Sequence, residues 1–425
     1  MTELTHLEAG WCKDRVGHFT GFQTLNNLTY LDLTYAKVTG LNWLSDQSKL
    51  EHLYLSHNGS LSEWDIVGLT RLQHLTHLGI ADIQFIDGHI DFLSHFPQLK
   101  HLDLSLNYTR ISDFTPLESL TVIESLKLRQ TDIPDLSVIT GLSHLKSLEL
   151  SYIDLTNIDA LAQLTQLKEL DLSDNHLTDL SALSDLDQLE RLYVAENPLA
   201  DMNAVMDMLT ELPHLNTLSI SDCNSGAIVA LGRLAGLKDL YAETQGDADL
   251  APLANLVALE RLFIRGGAWL ENDTLAPLIH LKALELWIDP PDDLTVFSGF
   301  TKLERLHLNG PLVTDVTPLA NLIHLRSLNL NQTKIEDTTP FSHLTDLKFL
   351  SLINGGLDNI TPLAGLTRLI ELDISRNELT DLGALVNMTM LDDLRVQNNP
   401  LTQETLDVTI PLIEANNPGI YIRQE

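Results

Sequence analysis

One hydrophobic phrase recurs along most of this chain: an aliphatic residue, two variable residues, Leu, one variable residue and a second aliphatic residue. Seventeen copies lie between Leu28 and Asn399, and twelve of the sixteen intervals between them are 22 residues long. The fourth position is Leu in every copy, and the sixth is Leu, Ile, Val or Ala. A Leu-based period of about 20 to 29 residues predicts a solenoid, in which each repeat packs on its neighbours. The copies begin at Leu28, Leu50, Leu75, Leu99, Ile123, Leu145, Leu167, Leu189, Leu215, Leu237, Leu259, Leu281, Leu303, Leu325, Leu347, Leu369 and Leu391.

The copy that begins at Leu167 indicates how one repeat folds. Residues 169–173 alternate polar and apolar side chains, which is the pattern of a strand with one buried face. Because each repeat ends where the next begins, consecutive strands are expected to be parallel. Five leucines are expected to fill the core, two from the strand and three from the returning segment: Leu170, Leu172, Leu177, Leu180 and Leu183.

The ninth position of the phrase is often Asn. A turn buried in a solenoid leaves backbone groups without partners, and a side-chain amide supplies both a donor and an acceptor. A structural role is therefore expected for Asn58, Asn107, Asn175, Asn197, Asn377 and Asn399. Cys223 holds the same position in its own repeat, and we interpret it as a buried turn residue, not a nucleophile.

The returning half of the repeat is also regular. Segments beginning at Leu177, Val313 and Leu379 read LTDLSAL, VTDVTPL and LTDLGAL. With the phrase itself, these segments resemble the 22-residue class of leucine-rich repeats over about seven-eighths of the chain. Repeats of this class occur in bacterial internalins and in the regulatory subunit of protein phosphatase 1 that consists almost wholly of them.

The resemblance implies an α/β repeat solenoid, a curved right-handed superhelix whose concave parallel β-sheet binds a partner protein. It does not identify the partner. Secreted internalins have a signal peptide, a downstream domain and a wall-anchoring tail, and this sequence shows none of these features. It also lacks the Leu-Pro-rich repeat and the catalytic domain of bacterial ubiquitin-ligase effectors. These differences favour a stand-alone intracellular binder.

Both ends of the sequence have features of a cap, which a solenoid needs over its terminal hydrophobic layer. The expected domains are an N-terminal cap (1–27), the leucine-rich-repeat array (28–399) and a C-terminal cap (400–425). The N-terminal cap contains Trp11, Phe19 and Phe22. In the C-terminal cap, the spacing of Leu406, Ile410 and Ile413 predicts a helix. Residues 420–422 predict a short strand after it.

The longest repeat, which begins at Leu189, resembles the C-terminal cap. Both contain Asn-Pro-Leu, an amphipathic helical segment, Pro and a strand. Two interpretations are open. In the first, a former end cap lies inside the array, with a seam near residues 198–214 that joins eight repeats to nine. In the second, this is an ordinary repeat whose returning side is helical.

Positions three, five and seven of the phrase lie on the exposed face of the predicted sheet. From the eighth to the thirteenth repeat these positions carry aromatic and Arg side chains, which are typical of protein interfaces when they cluster. Six adjacent strands span only about 25 Å. The candidate protein-binding residues are Arg191, Tyr193, Tyr241, Glu243, Arg261, Phe263, Arg265, Trp287, Arg305 and His307. The alternative is packing between neighbouring side chains across the strands.

Position three is His in three successive repeats, at His52, His77 and His101. Side chains in one row of a sheet lie about 4.8 Å apart. A metal site, an acid-sensitive patch and ordinary solvated histidines are therefore all open interpretations. No residue is assigned as a metal ligand on this basis.

The formal net charge of −33, from 59 acidic and 26 basic residues, narrows the class of partner. A nucleic acid or an anionic membrane surface would bind against this field, so both are disfavoured. A partner protein with a basic surface would be attracted, and the charge also favours solubility. No segment approaches the roughly 20 apolar residues of a membrane span, so no membrane insertion is expected.

The remaining chemistry is sparse. The only cysteines are Cys12 and Cys223, whereas secreted repeat proteins often pair cysteines in their caps, so the reducing cytoplasm is favoured. The first residues contain no apolar stretch behind a basic segment, so no signal peptide is predicted. The sequence contains no phosphate-binding Gly loop, no paired-Cys metal motif and no nucleophile elbow. No cofactor is therefore expected.

We therefore expect a monomeric, non-enzymatic scaffold that binds a partner protein along the sheet face from Tyr193 to His307. The expected apolar anchors are Tyr241, Phe263 and Trp287, and the residues expected to bind carboxylates or carbonyls are Arg261, Arg265 and Arg305. The alternative is a surface or secreted internalin-like adhesin that recognises a host protein or glycan. A signal peptide upstream, or stacking of aromatic side chains on sugars, would favour the adhesin.

Overall fold

The computed structural model describes residues 3–11, 25–44, 47–83, 90–107, 111–246, 248–266, 274–288, 293–310 and 313–424. The chain divides into two compact units, Met1–Leu215 and Asn216–Glu425, and each is described by itself. The cap residues Phe19 and Phe22 lie outside the described residues, as does Cys12. The assignment of caps, and of a former end cap near residues 198–214, stays a prediction.

The described part of the first unit contains nine strands, and each is parallel to the next. They are β1 (His6–Glu8), β2 (Tyr30–Asp32), β3 (His52–Tyr54), β4 (His77–Gly79), β5 (His101–Asp103), β6 (Ser125–Lys127), β7 (Ser147–Glu149), β8 (Glu169–Asp171) and β9 (Arg191–Tyr193). Equivalent positions of successive phrases are paired, as when Glu169 lies opposite Arg191. The predicted rows across the sheet are therefore confirmed in this unit.

The described part of the second unit contains ten strands with the same parallel pairing. They are β10 (Thr217–Cys223), β11 (Asp239–Thr244), β12 (Arg261–Arg265), β13 (Ala283–Trp287), β14 (Arg305–Asn309), β15 (Ser327–Asn331), β16 (Phe349–Ser351), β17 (Glu371–Asp373), β18 (Asp393–Arg395) and β19 (Tyr421–Arg423). The register between β10 and β11 shifts once, between Ile220 and Cys223.

Most returning segments are single 3-10 turns, and only a few are α-helical. The 3-10 turns are Asn42–Leu44, Asp91–His95, Thr115–Ser119, Ser137–Ile139, Asp159–Gln163, Ser181–Leu183, Ala251–Asn255, Thr295–Gly299, Thr317–Leu319, Thr339–His343, Thr361–Gly365 and Gly383–Leu385. The α-helices are α1 (Glu63–Val67), α2 (Met202–Thr210), α3 (Ser225–Leu231) and α4 (Ile410–Asn416). A 3-10 turn has three residues per turn, so apolar residues three apart share one face. The leucines at 177, 180 and 183 have this spacing, and all are buried as predicted.

The core of each repeat is built as the phrase predicts. Leu170 and Leu172 are fully buried on the inner side of the sheet, and the polar residues between them face outward. The regular strand of this repeat is shorter than predicted, because β8 ends at Asp171 and not at residue 173. Asp171 accepts a hydrogen bond through Oδ1 from the backbone N–H of Ser173 (2.9 Å), which begins the turn early.

The asparagines at position nine join successive repeats. Nδ2 of Asn175 donates to the carbonyl of Leu172 in its own repeat (2.9 Å) and to that of Leu150 in the preceding one (2.8 Å). Its Oδ1 accepts from the backbone N–H groups of Ile153 (3.2 Å) and Leu155 (3.0 Å). The same bridge is made by Asn58, Asn107, Asn197, Asn377 and Asn399. The predicted structural role is confirmed.

Position eight, just before the asparagine, is left-handed in most repeats. The residues there are seldom Gly; Leu106, for example, has φ +62° and Asp174 has φ +55°. A left-handed residue reverses the chain sharply at the end of the strand, at a cost of about 1 kcal/mol for a residue with a Cβ atom. The buried amide bridge therefore holds a backbone conformation that these side chains do not themselves favour.

The helical segments predicted near residue 200 and at the C-terminus are both present. Helix α2 begins after Asp201, whose Oδ1 accepts from the backbone N–H groups of Asn203 and Ala204 (both 3.1 Å). The C-terminal segment begins as a π-helix, Thr405–Thr409, and continues as α4. This wider turn buries Thr405 where Leu406 was expected, while Ile410 and Ile413 are buried as predicted.

Candidate functional site

Strands β10 to β15 are longer than the other strands, so the sheet is wider at these strands. They contain five to seven residues each, whereas the other strands of both units contain three. At about 3.3 Å per residue, two added residues widen the regular sheet by about 7 Å. A left-handed position eight does not limit strand length, because Asp222 (φ +59°), Gly266 (φ +75°) and Gln332 (φ +58°) lie within or directly after strands of this group.

Four aromatic side chains lie on the exposed face of these wide strands and form the aromatic patch: Tyr241, Phe263, Trp287 and His307. The rings of Tyr241 and Phe263 are 6.1 Å apart, and those of Trp287 and His307 are 4.4 Å apart. Tyr241 is 39% exposed and Trp287 is 46% exposed, while the other two are half-buried. Burial lowers the pKa of His307, so its ring is neutral near pH 7.

The arginines of the predicted site already have carboxylate partners within the chain. Arg261 makes two 2.6 Å contacts to the carboxylate of Asp239, and this pairing raises the Arg261 pKa. Arg265 lies 3.4 Å from Glu243. Arg305 Nη1 lies 3.5 Å from Oε1 of Glu285. Cross-strand packing, the alternative open from the sequence, is therefore present beside the exposed aromatic rings.

The two remaining predicted residues, Arg191 and Tyr193, belong to the first unit, whereas the other eight belong to the second. Arg191 Nη2 donates to Oε2 of Glu169 (2.9 Å), and this hydrogen bond raises the Arg191 pKa. Tyr193 is half-buried on β9. These two residues are consequently a separate pair on the sheet face of their own unit.

A band of six basic side chains lies beside the aromatic patch, and the sequence prediction included only two of them, Arg261 and Arg305. The band lines a groove of about 620 Å³ at the start of the strands, together with Phe349, which is 40% exposed. The basic band consists of Lys238, Arg261, Lys282, Arg305, Arg326 and Lys348. Four of its members occupy position two of the phrase, whereas the prediction used only positions three, five and seven. A scan of position two would have detected it.

Charges alternate along position two from Lys238 to Arg326, after which a second base follows. In the second unit the row reads Lys238, Glu260, Lys282, Glu304, Arg326 and Lys348. Lys282 Nζ lies 2.5 Å from the carboxylate of Glu260, and Arg326 lies 3.6 Å from Glu304. At the two ends of the row, Lys238 and Lys348 are exposed, and within the described residues neither has a carboxylate at ion-pair distance.

The histidine row of the first unit forms a stack. The rings of His52 and His77 are 3.9 Å apart and those of His77 and His101 are 4.0 Å apart, all nearly parallel. Tyr30 continues the row, and its ring stacks on His6 at 4.0 Å. Burial, with the neighbouring His101 and His52, lowers the pKa of His77 to about 4. The acid-sensitive patch stays a prediction.

Other reactive features are few in the described parts of the chain. Cys223 is fully buried, as expected from the sequence, and burial raises the pKa of its thiol to about 12. Across residues 3–424, apart from the stretches left undescribed, no three His, Cys, Asp or Glu side chains are grouped so as to hold a metal ion. The helices found in the same part of the chain are all too short to cross a membrane.

Two sequence models of leucine-rich repeats match the chain. A model of two tandem repeats matches residues 143–185 and 165–205, and a model of a single repeat matches residues 366–386. This chain contains leucine-rich repeats. No curated protein sequence matches it significantly.

Solved leucine-rich-repeat structures resemble the chain over most of its length. A leucine-rich-repeat protein of Leptospira interrogans is 19% identical, with a TM-score of 0.57, and the alignment covers 96% of this chain and 99% of that one. An internalin of Listeria monocytogenes is 24% identical, with a TM-score of 0.46 and 88% of each chain covered. The likeness to the Leptospira protein concerns the fold, and it confirms the predicted leucine-rich-repeat solenoid.

Proposed function

We propose that this leucine-rich-repeat protein is a non-enzymatic scaffold that binds another protein through the exposed sheet face of its second unit. The observation that carries the proposal is the aromatic patch on the widest strands. Tyr241 and Trp287 remain 39% and 46% exposed there, although they are large apolar side chains. Clustered, exposed aromatic residues on a rigid surface are typical of the residues that dominate protein-binding energy.

The contacts within the site refine the role of each residue. Tyr241, Phe263 and Trp287 act as apolar anchors, because their rings stand on the regular part of β11 to β13. Arg261 is a positioning residue, since both its contacts go to Asp239. The looser pairs of Arg265 and Arg305, at 3.4 and 3.5 Å, can exchange their carboxylate for one from a partner.

The proposed scaffold is monomeric, binds no cofactor and acts in the cytoplasm. The thiol of Cys223 is fully buried and therefore not accessible as a nucleophile. The solvated grooves of the second unit lie on the open sheet face, where a macromolecule has access. Fractionation of cells that express a tagged chain would test the compartment.

The binding test is an affinity capture from a lysate of the source organism, quantified by mass spectrometry. The full chain is compared with a triple variant, Tyr241→Ala, Phe263→Ala and Trp287→Ala. A specific protein should be captured by the parent and reduced at least about tenfold with the triple variant, because truncation of central interface residues commonly costs 2 kcal/mol or more. Circular dichroism must first show that the variant is folded.

A matched control removes three exposed aromatic residues away from the patch: Trp11→Ala, Tyr152→Ala and Tyr421→Ala, which are 67%, 44% and 56% exposed. This control should capture the partner as the parent does. Equal capture by all three proteins would mean that the aromatic patch is only cross-strand packing. Capture lost equally in both variants would mean that general stickiness, and not the patch, explains the binding.

A further inference from the structure

The basic band has a net positive charge, whereas the chain as a whole is strongly negative. Its groove is lined by six basic and only three acidic side chains, a net formal charge of +3, although the chain as a whole has −33. The three acidic residues are Asp239, Glu260 and Glu304, and each lies within 3.6 Å of a basic neighbour. Arg305 is paired with Glu285, which lies outside the groove lining, so two of the six bases remain without a carboxylate partner in the described residues.

The surplus is concentrated at the two ends of the band. Lys238 and Lys348 are exposed, and in the described residues neither is paired with a carboxylate. The two lysines begin repeats that are five intervals apart, so their backbone positions are separated by about 24 Å. An extended polypeptide spans that distance with about seven residues.

The apolar features lie between and beside these two charges. Phe349 follows Lys348 and is 40% exposed within the same groove. Trp287 lies about 13 to 17 Å further along the strands, so a segment contacts it only where its backbone extends from the band towards position seven. A segment with apolar residues in its middle and carboxylates towards both ends would match both sets of groups.

From this arrangement we infer that the occupant of the site is an extended acidic segment of a partner protein, which crosses strands β11 to β16 with its carboxylates on the basic band. The inference rests on the proposed function and adds the chemistry of the ligand. Carboxylates bound to Lys and Arg make charge-assisted hydrogen bonds, which are stronger than neutral ones. The acidic remainder of the chain repels such a segment elsewhere, so binding is confined to the band.

The test is a selection of random twelve-residue peptides displayed on phage against the immobilised full chain. Enriched peptides should contain an excess of Asp and Glu together with aromatic or aliphatic residues. Synthetic copies of the best peptide, labelled with fluorescein, are then titrated with the chain, and binding is followed by fluorescence anisotropy. Replacement of their acidic residues by Asn and Gln should weaken binding at least about tenfold, and binding should weaken as NaCl rises.

The variant Lys238→Gln with Lys348→Gln should lower the affinity of the acidic peptide about tenfold and leave its neutral copy unaffected. Both lysines are exposed and unpaired in the described structure, so the fold should be retained. Lys334→Gln is the matched control, because it removes an exposed charge from the same unit outside the band. That control should bind as the parent does.

The outcomes separate the two proposals. If the enriched peptides lack acidic residues but do not bind the Trp287→Ala variant, the inference of an acidic segment is wrong. The proposed aromatic site would then still hold. Acidic peptides that bind the double lysine variant as well as the parent would also overturn the inference. Peptides indifferent to both Trp287→Ala and the lysine variant, or no enrichment at all, would overturn the site itself.

Discussion

At the scale of single residues, the asparagines at position nine stabilise the stack more than any exposed side chain. Asn175 is 3% exposed and makes hydrogen bonds to five backbone groups, which belong to its own repeat and to the one before. When such an amide is removed, buried carbonyl and N–H groups are left without partners, and each costs about 1 to 3 kcal/mol unless water reaches it.

Asn175→Ala should therefore lower the free energy of unfolding by about 2 to 4 kcal/mol, because water can replace only some of the lost bonds. Urea denaturation followed by circular dichroism measures the change. Gln163→Ala, which removes an exposed amide on the same unit, is the matched control and should cost less than about 0.5 kcal/mol. Equal costs for the two variants would contradict the role assigned to the bridge.

The histidine stack should make stability depend on pH. The pKa of His77 is lowered from 6.5 to about 4, first by burial and then by His101 and His52. A lowered folded-state pKa contributes stability that is present above pH 6.5 and is lost as the pH falls towards 4. Lys100 adds to the lowering and Glu124 opposes it.

His77→Gln should therefore lose less stability between pH 7 and pH 4.5 than the parent does. The expected difference is about 1 to 2 kcal/mol, since the half-buried ring is partly screened by water. Urea titrations at both pH values measure it, and the common protonation of carboxylates cancels in the comparison. His343→Gln, on an exposed turn, is the control and should follow the parent. If the stability of the parent and of the His77→Gln variant depends on pH in the same way, the histidine stack does not couple protonation to stability.

At the scale of elements, the strands and their rows follow from the sequence, but their lengths do not. The phrase predicts that Leu170 and Leu172 face the core, and the buried side chains confirm it. The end of each strand does not follow the conformation of position eight, because Asp222, Gly266 and Gln332 are left-handed there although β10, β12 and β15 contain five to seven residues. Asp174 and Leu106 adopt that conformation without being Gly, so no residue type marks it.

For the candidate site too, the sequence predicts the rows of side chains but not the contacts that long side chains make. The aromatic patch follows from rows at positions five and seven, because those rows need only the strand period. The pairing of Arg261 with Asp239 depends on which way a long side chain reaches, and the sequence does not specify this. Four of the six residues of the basic band occupy position two, which lies just outside the regular strands and was not used in the prediction.

Helix α2 offers a test at this scale, because it replaces a 3-10 turn with nine helical residues. Asp201→Ala should cost about 1 kcal/mol through loss of its N-terminal cap, whereas Asp201→Asn should retain most of the stability. Hydrogen exchange measured by mass spectrometry should show faster exchange in the first turn of α2 for the Ala variant alone. Equal exchange in both variants would mean that packing of Val205 and Leu209 alone holds the helix.

At the scale of the whole molecule, charge repulsion is expected to oppose folding. A formal net charge of −33 on one chain destabilises its compact state, and salt screens this repulsion over about 10 Å at 0.1 M. The exposed ion pairs along position two are screened as well, but each contributes only about 0 to 1 kcal/mol. The net repulsion should dominate.

The melting temperature should accordingly rise by several degrees between 0.05 and 0.5 M NaCl near neutral pH, measured by differential scanning calorimetry. KCl at the same ionic strength should give the same rise, since screening depends on ionic strength and not on the cation. A melting temperature that falls with salt would mean that the ion-pair rows stabilise the protein more than the net charge destabilises it.

The alternating charges at position two also bear on how such an array can lengthen or shorten. Removing one repeat of 22 residues around Lys282 would set Glu260 beside Glu304, and like charges on neighbouring strands repel. Removing two repeats, or 44 residues, would keep each acid next to a base. From Lys238 to Arg326 the charge pattern therefore has a period of two repeats. Duplications and losses in this part of the gene should be tolerated best in even numbers.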